Sequence, residues 1–271
     1  MLSKNLEPII HQLEELTRSL FPEILKIYQN PRSSAQEKKD GSPVTAADMY
    51  AHKAIVNFLE KNFPDIPVVS EESFKQTNYK PAKEFWIIDP IDGTKEFVNK
   101  SDEFTTNIAL IQNGKPVLGV VGAPVFDQVW SGIANQTSKK IKADTKKRAI
   151  LRIVTSRSHR TVIDTAFLNF LDKKGKRLKI IFKGSSLKIC ALADKKADIY
   201  PRFGPTSEWD IAAADAVLRS RGGGIFQIDN HKLLEYGKKD SILNPMFIAI
   251  SNLNEKRTIL SLIGGFSKNL L

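Results

Sequence analysis

Trp86-Ile87-Ile88-Asp89-Pro90-Ile91-Asp92-Gly93-Thr94 runs an apolar strand straight into two aspartates three residues apart. Proline lacks a ladder donor and turns the chain, so Asp89 and Asp92 are predicted to converge on one point. Gly93 permits a tight turn and a close backbone approach. Thr94 then offers a hydroxyl and a backbone N–H where a helix can begin, an arrangement suited to phosphate. Two carboxylates held that close repel unless a cation lies between them, and their hard oxygens suit Mg²⁺. Taken alone, the stretch also reads as a turn with an aspartate cap.

Working outward, three more acidic sites sit at the end of an apolar strand or the start of a helix. Such positions deliver functional groups on rigid supports. Ser70-Glu71-Glu72-Ser73 follows the strand-like Pro67-Val68-Val69. Trp209-Asp210 opens the small-residue helix Ile211-Ala212-Ala213-Ala214. Thr45 and Asp48 stand at the start of a helix predicted to run to Asn62. Each has a plain structural reading: a solvated loop charge for Glu71, a helix cap for Asp210, a capping box for Thr45 and Asp48.

The remaining pattern is mixed. An amphipathic helix is predicted from Leu6 to Tyr28, bent near Pro22. Apolar runs at Thr105–Ile111 and Val117–Val121 flank Asn113-Gly114, a hairpin signal, and a third strand follows near Val129–Ile133. Beyond the basic stretch Lys139–Arg148 the pattern changes. Strands at Ile153-Val154, Lys179–Phe182, Ile199-Tyr200, Gly224–Ile228 and Phe247–Ile250 alternate with helices at Thr161–Leu171, Ser186–Ala193 and Ser207–Arg219. The last helix ends at Gly222-Gly223-Gly224, as a C-cap should. This alternation marks an α/β unit. The predicted boundary lies near residue 150: an α+β domain over 1–150 with most of the acidic sites, and an α/β domain over 151–271 with Asp210.

No apolar run reaches the roughly 18 to 20 residues that cross a bilayer. The first residues lack the apolar core of a signal peptide, and the single cysteine, Cys190, fits a reducing compartment. Cytoplasm is the expected location. Cys190 lies in an apolar helical stretch and reads as core, while His11, His52 and His231 read as structural or exposed. A net charge of +11 favours anionic partners, although solubility alone also accounts for it. The excess concentrates in Lys139–Arg148 and Lys173–Lys183, and neither stretch interleaves aromatics as a single-strand nucleic-acid surface would. Nucleic acid is therefore not the expected partner. The basic surface leaves peripheral contact with the inner face of the cell membrane as a further expectation.

Jointly and in this order, the acidic sites resemble the magnesium-dependent, lithium-sensitive phosphatase superfamily that includes inositol monophosphatase. The resemblance spans Ser42-Pro43-Val44-Thr45-Ala46-Ala47-Asp48 to Asn244-Pro245-Met246-Phe247. Asp92-Gly93-Thr94-Lys95-Glu96-Phe97, Gly184-Ser185-Ser186-Leu187-Lys188 and Tyr200-Pro201-Arg202-Phe203-Gly204-Pro205-Thr206 are most similar to its bacterial 3′(2′),5′-bisphosphate nucleotidase branch, the CysQ type.

The resemblance implies a layered αβαβα, sugar-phosphatase-like fold with the site between the two domains. It also implies two or three Mg²⁺ ions held by Glu71, Asp89, Asp92, Asp210 and the Ile91 carbonyl, with Asp89 bridging two of them. Gly93 and Thr94 would hold the scissile phosphate. Asp48 and Thr94 would orient the attacking water, with Glu71 also catalytic. By looser correspondence the nucleotide would lie near Ser156, His159, Gly184, Lys188 and Arg202. Arg157, in the same loop as His159, suits a second phosphate and equally an ordinary solvated charge.

The implied reaction converts adenosine 3′,5′-bisphosphate to AMP and phosphate in sulfate assimilation, with the sulfated analogue as a further substrate. The alternatives are an inositol or sugar phosphatase on the same scaffold, and a non-catalytic anion- or nucleic-acid-binding protein. One departure from the family pattern is Asn135-Gln136-Thr137-Ser138-Lys139-Lys140, where many relatives carry a Gly-rich hairpin.

Overall fold

The computed structural model describes residues 5–29, 36–37, 43–134, 149–156 and 161–267. The turn at Asp40–Ser42, the departure at Asn135–Lys140, the basic stretch Lys139–Arg148, and Arg157 and His159 lie outside the described residues.

Helix α1 (Glu7–Tyr28) buries Ile9, Ile10, Leu13, Leu20 and Ile24 and runs through Pro22 as one helix. A two-residue pairing of β1 (Gln36–Glu37) with β2 (Pro43–Val44) leads into α2 (Ala46–Asn62). Thr45 caps α2: its Oγ1 accepts the Ala47 N–H at 3.2 Å, while the Asp48 carboxylate accepts the Thr45 N–H at 2.8 Å. The first sheet has the order β3 (Val68–Ser70), β4 (Glu84–Asp92), β5 (Thr105–Gln112), β6 (Lys115–Ala123), β7 (Gln128–Ile133). Only β3 and β4 are parallel; the others pair antiparallel. The hairpin at Asn113-Gly114 forms as predicted, both residues taking positive φ (50° and 73°), as a two-residue turn matching the strand twist requires.

The second sheet has the order β11 (Gly224–Gln227), β12 (Phe247–Ile250), β10 (Ile199–Arg202), β8 (Ile150–Ser156), β9 (Arg177–Lys183). Helix α4 (Val162–Lys173) connects β8 to its parallel neighbour β9, and β10 also runs parallel to β8. The sheet is nevertheless mixed, because β12 pairs antiparallel with both β10 and β11. Helix α6 (Glu208–Ser220) ends as the glycine run predicts, with Gly222 at φ +78° and the Gly223 N–H donating to the Leu218 carbonyl at 3.0 Å. A closing helix, α7 (Lys256–Ser267), was not expected from the sequence.

Three apolar clusters define five layers. On one face of the first sheet, Trp86, Ile88, Ile108 and Leu110 pack against α1 and α2. On its other face, Phe85, Ile87, Ala109 and Val121 meet α5 (Leu187–Ala193) and α6, which also cover Val154, Tyr200, Phe247 and Ala249 of the second sheet. The far face of the second sheet buries Phe167 and Leu171 of α4 and Ile259, Ile263 and Phe266 of α7. Alternate β4 residues thus enter different layers, as the period of a strand dictates. The result is the layered αβαβα order that the resemblance implied. Among the described residues no helix is long and apolar enough to cross a membrane.

Candidate active site

Asp89 shares its strand face with Phe85 and Ile87, so the pleat aims it at the central layer where α6 begins. Strand β4 does not stop there. It continues through Pro90 to Asp92, with a register shift against β5 between Asp89 and Asp92. The expected break at Pro90 is therefore a bulge: proline gives up one ladder bond while the chain stays extended, and a bulge re-aims side chains beside a site. Gly93, at φ +90°, then caps the short helix α3 (Thr94–Val98).

Glu71 comes from a 3₁₀ turn, Glu71–Ser73, directly after β3. Asp210 comes from the first turn of α6, where its Oδ2 accepts the Ser207 N–H at 2.9 Å. Three elements thus bring Glu71, Asp89 and Asp210 together, with one carboxylate oxygen from each lying within 4.8 Å of the others. Asp89 is almost wholly buried, and its Oδ1 accepts no hydrogen bond among the described residues. Burial, then the charges of Glu71, Asp92 and Asp210, hold the Asp89 carboxyl well above the ordinary carboxylate value. Asp210 is raised well above it by burial first, then by Asp92 and Glu71. Hard oxygen donors, a buried orphan acceptor and closely gathered like charge fit one kind of occupant, a small divalent cation.

Asp92 stands beside this group rather than within it. Its Oδ2 accepts the Ser186 N–H and the Ser185 hydroxyl, each at 2.7 Å. Burial raises its carboxyl, an effect that Lys188 and the Ser185 bond oppose. The Ser185 hydroxyl, which donates to Asp92, also lies 2.5 Å from the Thr105 hydroxyl. The Asn107 amide donates to Ser186 Oγ at 3.1 Å, and Ser186 Oγ donates to the Asp210 carbonyl at 2.7 Å. Glu103, also buried, accepts the Gly184 N–H at 2.9 Å and anchors the same loop. Sequence reasoning missed these supports, although three consecutive polar residues, Thr105-Thr106-Asn107, opening an apolar strand were a usable signal.

The Thr94 hydroxyl lies 3.2 Å from both Asp48 Oδ1 and the Ile91 carbonyl. Asp48 therefore serves as cap and as Thr94 partner at once, its Oδ2 being held by Thr45 Oγ1 at 2.6 Å.

All of this surrounds a cleft of about 820 Å³ lined by Glu71, Asp89, Ile91, Asp92, Gly93, Thr94 and Asp210. Ser156, Lys188 and Arg202 line it too. Lys188 rests near Tyr200, its Nζ 5.7 Å from the ring centre, and burial lowers its ammonium against the pull of Asp92. Arg202 donates to the Pro205 carbonyl at 2.9 Å. Gly184 faces Glu103 instead of the cleft: a Cβ there would lie 2.8 Å from the Glu103 carbonyl. Thr161, Trp209 and Tyr200 line the cleft too; Trp209 and Tyr200 stood within motifs of the sequence, but none of the three had an expected role at the site. Cys190 is buried in the central core, as expected, and burial raises its thiol.

The family model described as "Inositol monophosphatase family" matches residues 5–261. The chain is similar to the 3′(2′),5′-bisphosphate nucleotidase CysQ of Escherichia coli K12, with 38% identity over 88% of this chain and 98% of that protein. It is 31% identical to the Haemophilus influenzae protein of the same name, over 93% of this chain and 96% of the other. Among solved structures, CysQ from Bacteroides thetaiotaomicron, described as a bacterial member of the inositol monophosphatase family, superposes with a TM-score of 0.73. The two are 36% identical, over 87% of this chain and 94% of that one.

Proposed function

The chain belongs to the inositol monophosphatase family, and we propose that it removes the 3′-phosphate of adenosine 3′,5′-bisphosphate, yielding AMP and phosphate. One observation carries the reading: a single cleft joins the Glu71, Asp89 and Asp210 carboxylates to the cations Lys188 and Arg202. Carboxylates alone repel phosphate, so the acidic wall needs metal. The basic wall suits the second phosphate of a bisphosphate, for which a neutral polyol has no counterpart.

Glu71, Asp89, Asp92, Asp210 and the Ile91 carbonyl would hold two or three Mg²⁺ ions. When bound, such ions lower the pKa of a water, neutralise the phosphate and stabilise the leaving oxygen. The chain's own groups do the rest. Asp48 holds the Thr94 hydroxyl, leaving Thr94 Oγ1 to orient the attacking water, which Glu71 flanks. The backbone N–H groups of Gly93 and Thr94 meet the scissile phosphate. Ser156, Lys188 and Arg202 receive the nucleotide, with the Gly184 loop beside them. The sulfated analogue fits the same contacts. Sulfate assimilation in the cytoplasm is the setting this activity serves.

Phosphate release with Mg²⁺ from adenosine 3′,5′-bisphosphate, inositol 1-phosphate and fructose 1,6-bisphosphate tests the reading. The bisphosphate nucleotide is expected to be preferred. Preference for inositol phosphate would overturn the nucleotidase assignment, and no metal-dependent release from any of the three would overturn the enzyme.

A further inference from the structure

Phe74 lies three residues beyond Glu71, and Trp209 immediately precedes Asp210. Their rings meet nearly edge-on, centres 5.2 Å apart and planes at 67°. Both side chains pack against the central core. On its other side Phe74 meets Tyr79, at 5.3 Å and 65°. The two carboxylates behind this contact belong to different sheets' connections: Glu71 follows the edge strand β3, while Asp210 starts the central helix α6. Among the described residues no backbone hydrogen bond joins the two segments. Like charge gathered within 4.8 Å pushes the two segments apart whenever no cation lies between them.

We propose that Phe74 and Trp209 are positioning residues for the metal: their edge-on contact fastens the Glu71 turn to the start of α6 and sets the separation of two ligands. The inference rests on the reading that Glu71 and Asp210 hold a divalent cation. Neither ring needs to touch metal or substrate. A pre-set ligand spacing spares the ion the cost of drawing two repelling segments together, so the contact appears in metal affinity.

Calorimetric titration of the full chain with MgCl₂, without substrate, tests this. Phe74→Leu keeps the apolar bulk and removes the ring. It is expected to weaken binding roughly three- to tenfold, the range an aromatic pair supplies, with turnover at saturating Mg²⁺ held within about twofold of wild type. Phe74→Tyr keeps the ring and is expected to bind within about twofold of wild type. Should Phe74→Leu not fold, Trp209→Leu against Trp209→Phe gives the same comparison in Mg²⁺ affinity alone, because Trp209 also lines the cleft. Unchanged affinity in the leucine variants, or equal weakening in the ring-keeping ones, overturns the inference while leaving the metal site intact. If wild type and Asp89→Asn give the same featureless titration, the metal reading fails and this inference fails with it.

Discussion

The Asp92 carboxylate accepts the Ser186 backbone N–H at 2.7 Å, a bond across 94 positions of sequence. It joins the end of β4 in the first sheet to the start of α5, which lies against the second. Ser185 adds its hydroxyl to the same oxygen while held at φ +49°, a left-handed conformation that serine adopts at some cost. The loop is thus shaped to present two donors to one carboxylate.

Removing one of those donors gives the first prediction. A hydrogen bond to a charged group contributes about 1.5 to 3 kcal/mol. Ser185→Ala is expected to lower kcat/KM by about tenfold or more, with the circular dichroism spectrum unchanged. Wild-type kinetics in this variant would show that Asp92 needs no support from the Ser185 hydroxyl.

Asp89→Asn tests the centre of the cluster. The amide removes one buried negative charge among three, so the fold is expected to survive and the metal-free protein to melt no lower than wild type. Turnover is expected to be nearly abolished. Retained activity would show the metal assignment to be wrong.

Metal removal should make stability depend on pH. Asp89 and Asp210 are held well above the ordinary carboxyl value of 3.8 in the folded chain. A carboxyl raised in this way contributes stability that is complete below the ordinary value and is lost as pH climbs through the raised one. The chelator-treated protein is expected to have a lower Tm at about pH 8 than at about pH 5.5, and MgCl₂ to raise Tm more at the higher pH. A metal-free Tm that rose with pH over that interval would contradict the charge arrangement of the site.

Gly119 lets α6, the helix that carries Asp210, approach the first sheet. A Cβ there would lie 2.2 Å from the Ala213 carbonyl, and backbone cannot yield as a flexible side chain can. Gly119→Ala is expected to cost about 1 to 3 kcal/mol, a Tm drop of roughly 2 to 12 °C by thermal melting. An unchanged melt would mean that the helix can stand further from the sheet.

The sequence by itself determined most of the elements, α7 excepted, and the ligand candidates. Strand geometry puts Phe85, Ile87 and Asp89 on one face, but the run Phe85–Ile88 is apolar on both faces, so which of them meets α6 was not legible. The Thr45 and Asp48 cap, the Asn113-Gly114 hairpin and the glycine end of α6 were legible because each depends on neighbours within a few residues. Tertiary structure alone decided the rest. Whether Pro90 ends a strand or bulges it depends on β5 pairing on both sides of the shift. The antiparallel setting of β12 depends on β10 and β11, and the apolar run Phe247–Ile250 reads the same in either direction. Glu71, Asp89 and Asp210 become one site only when α6 packs between two sheets. Ser185 and Ser186 become supports of Asp92 only when that packing closes the cleft. Local patterning records which face of an element is buried; it does not record which distant segment will lie against it.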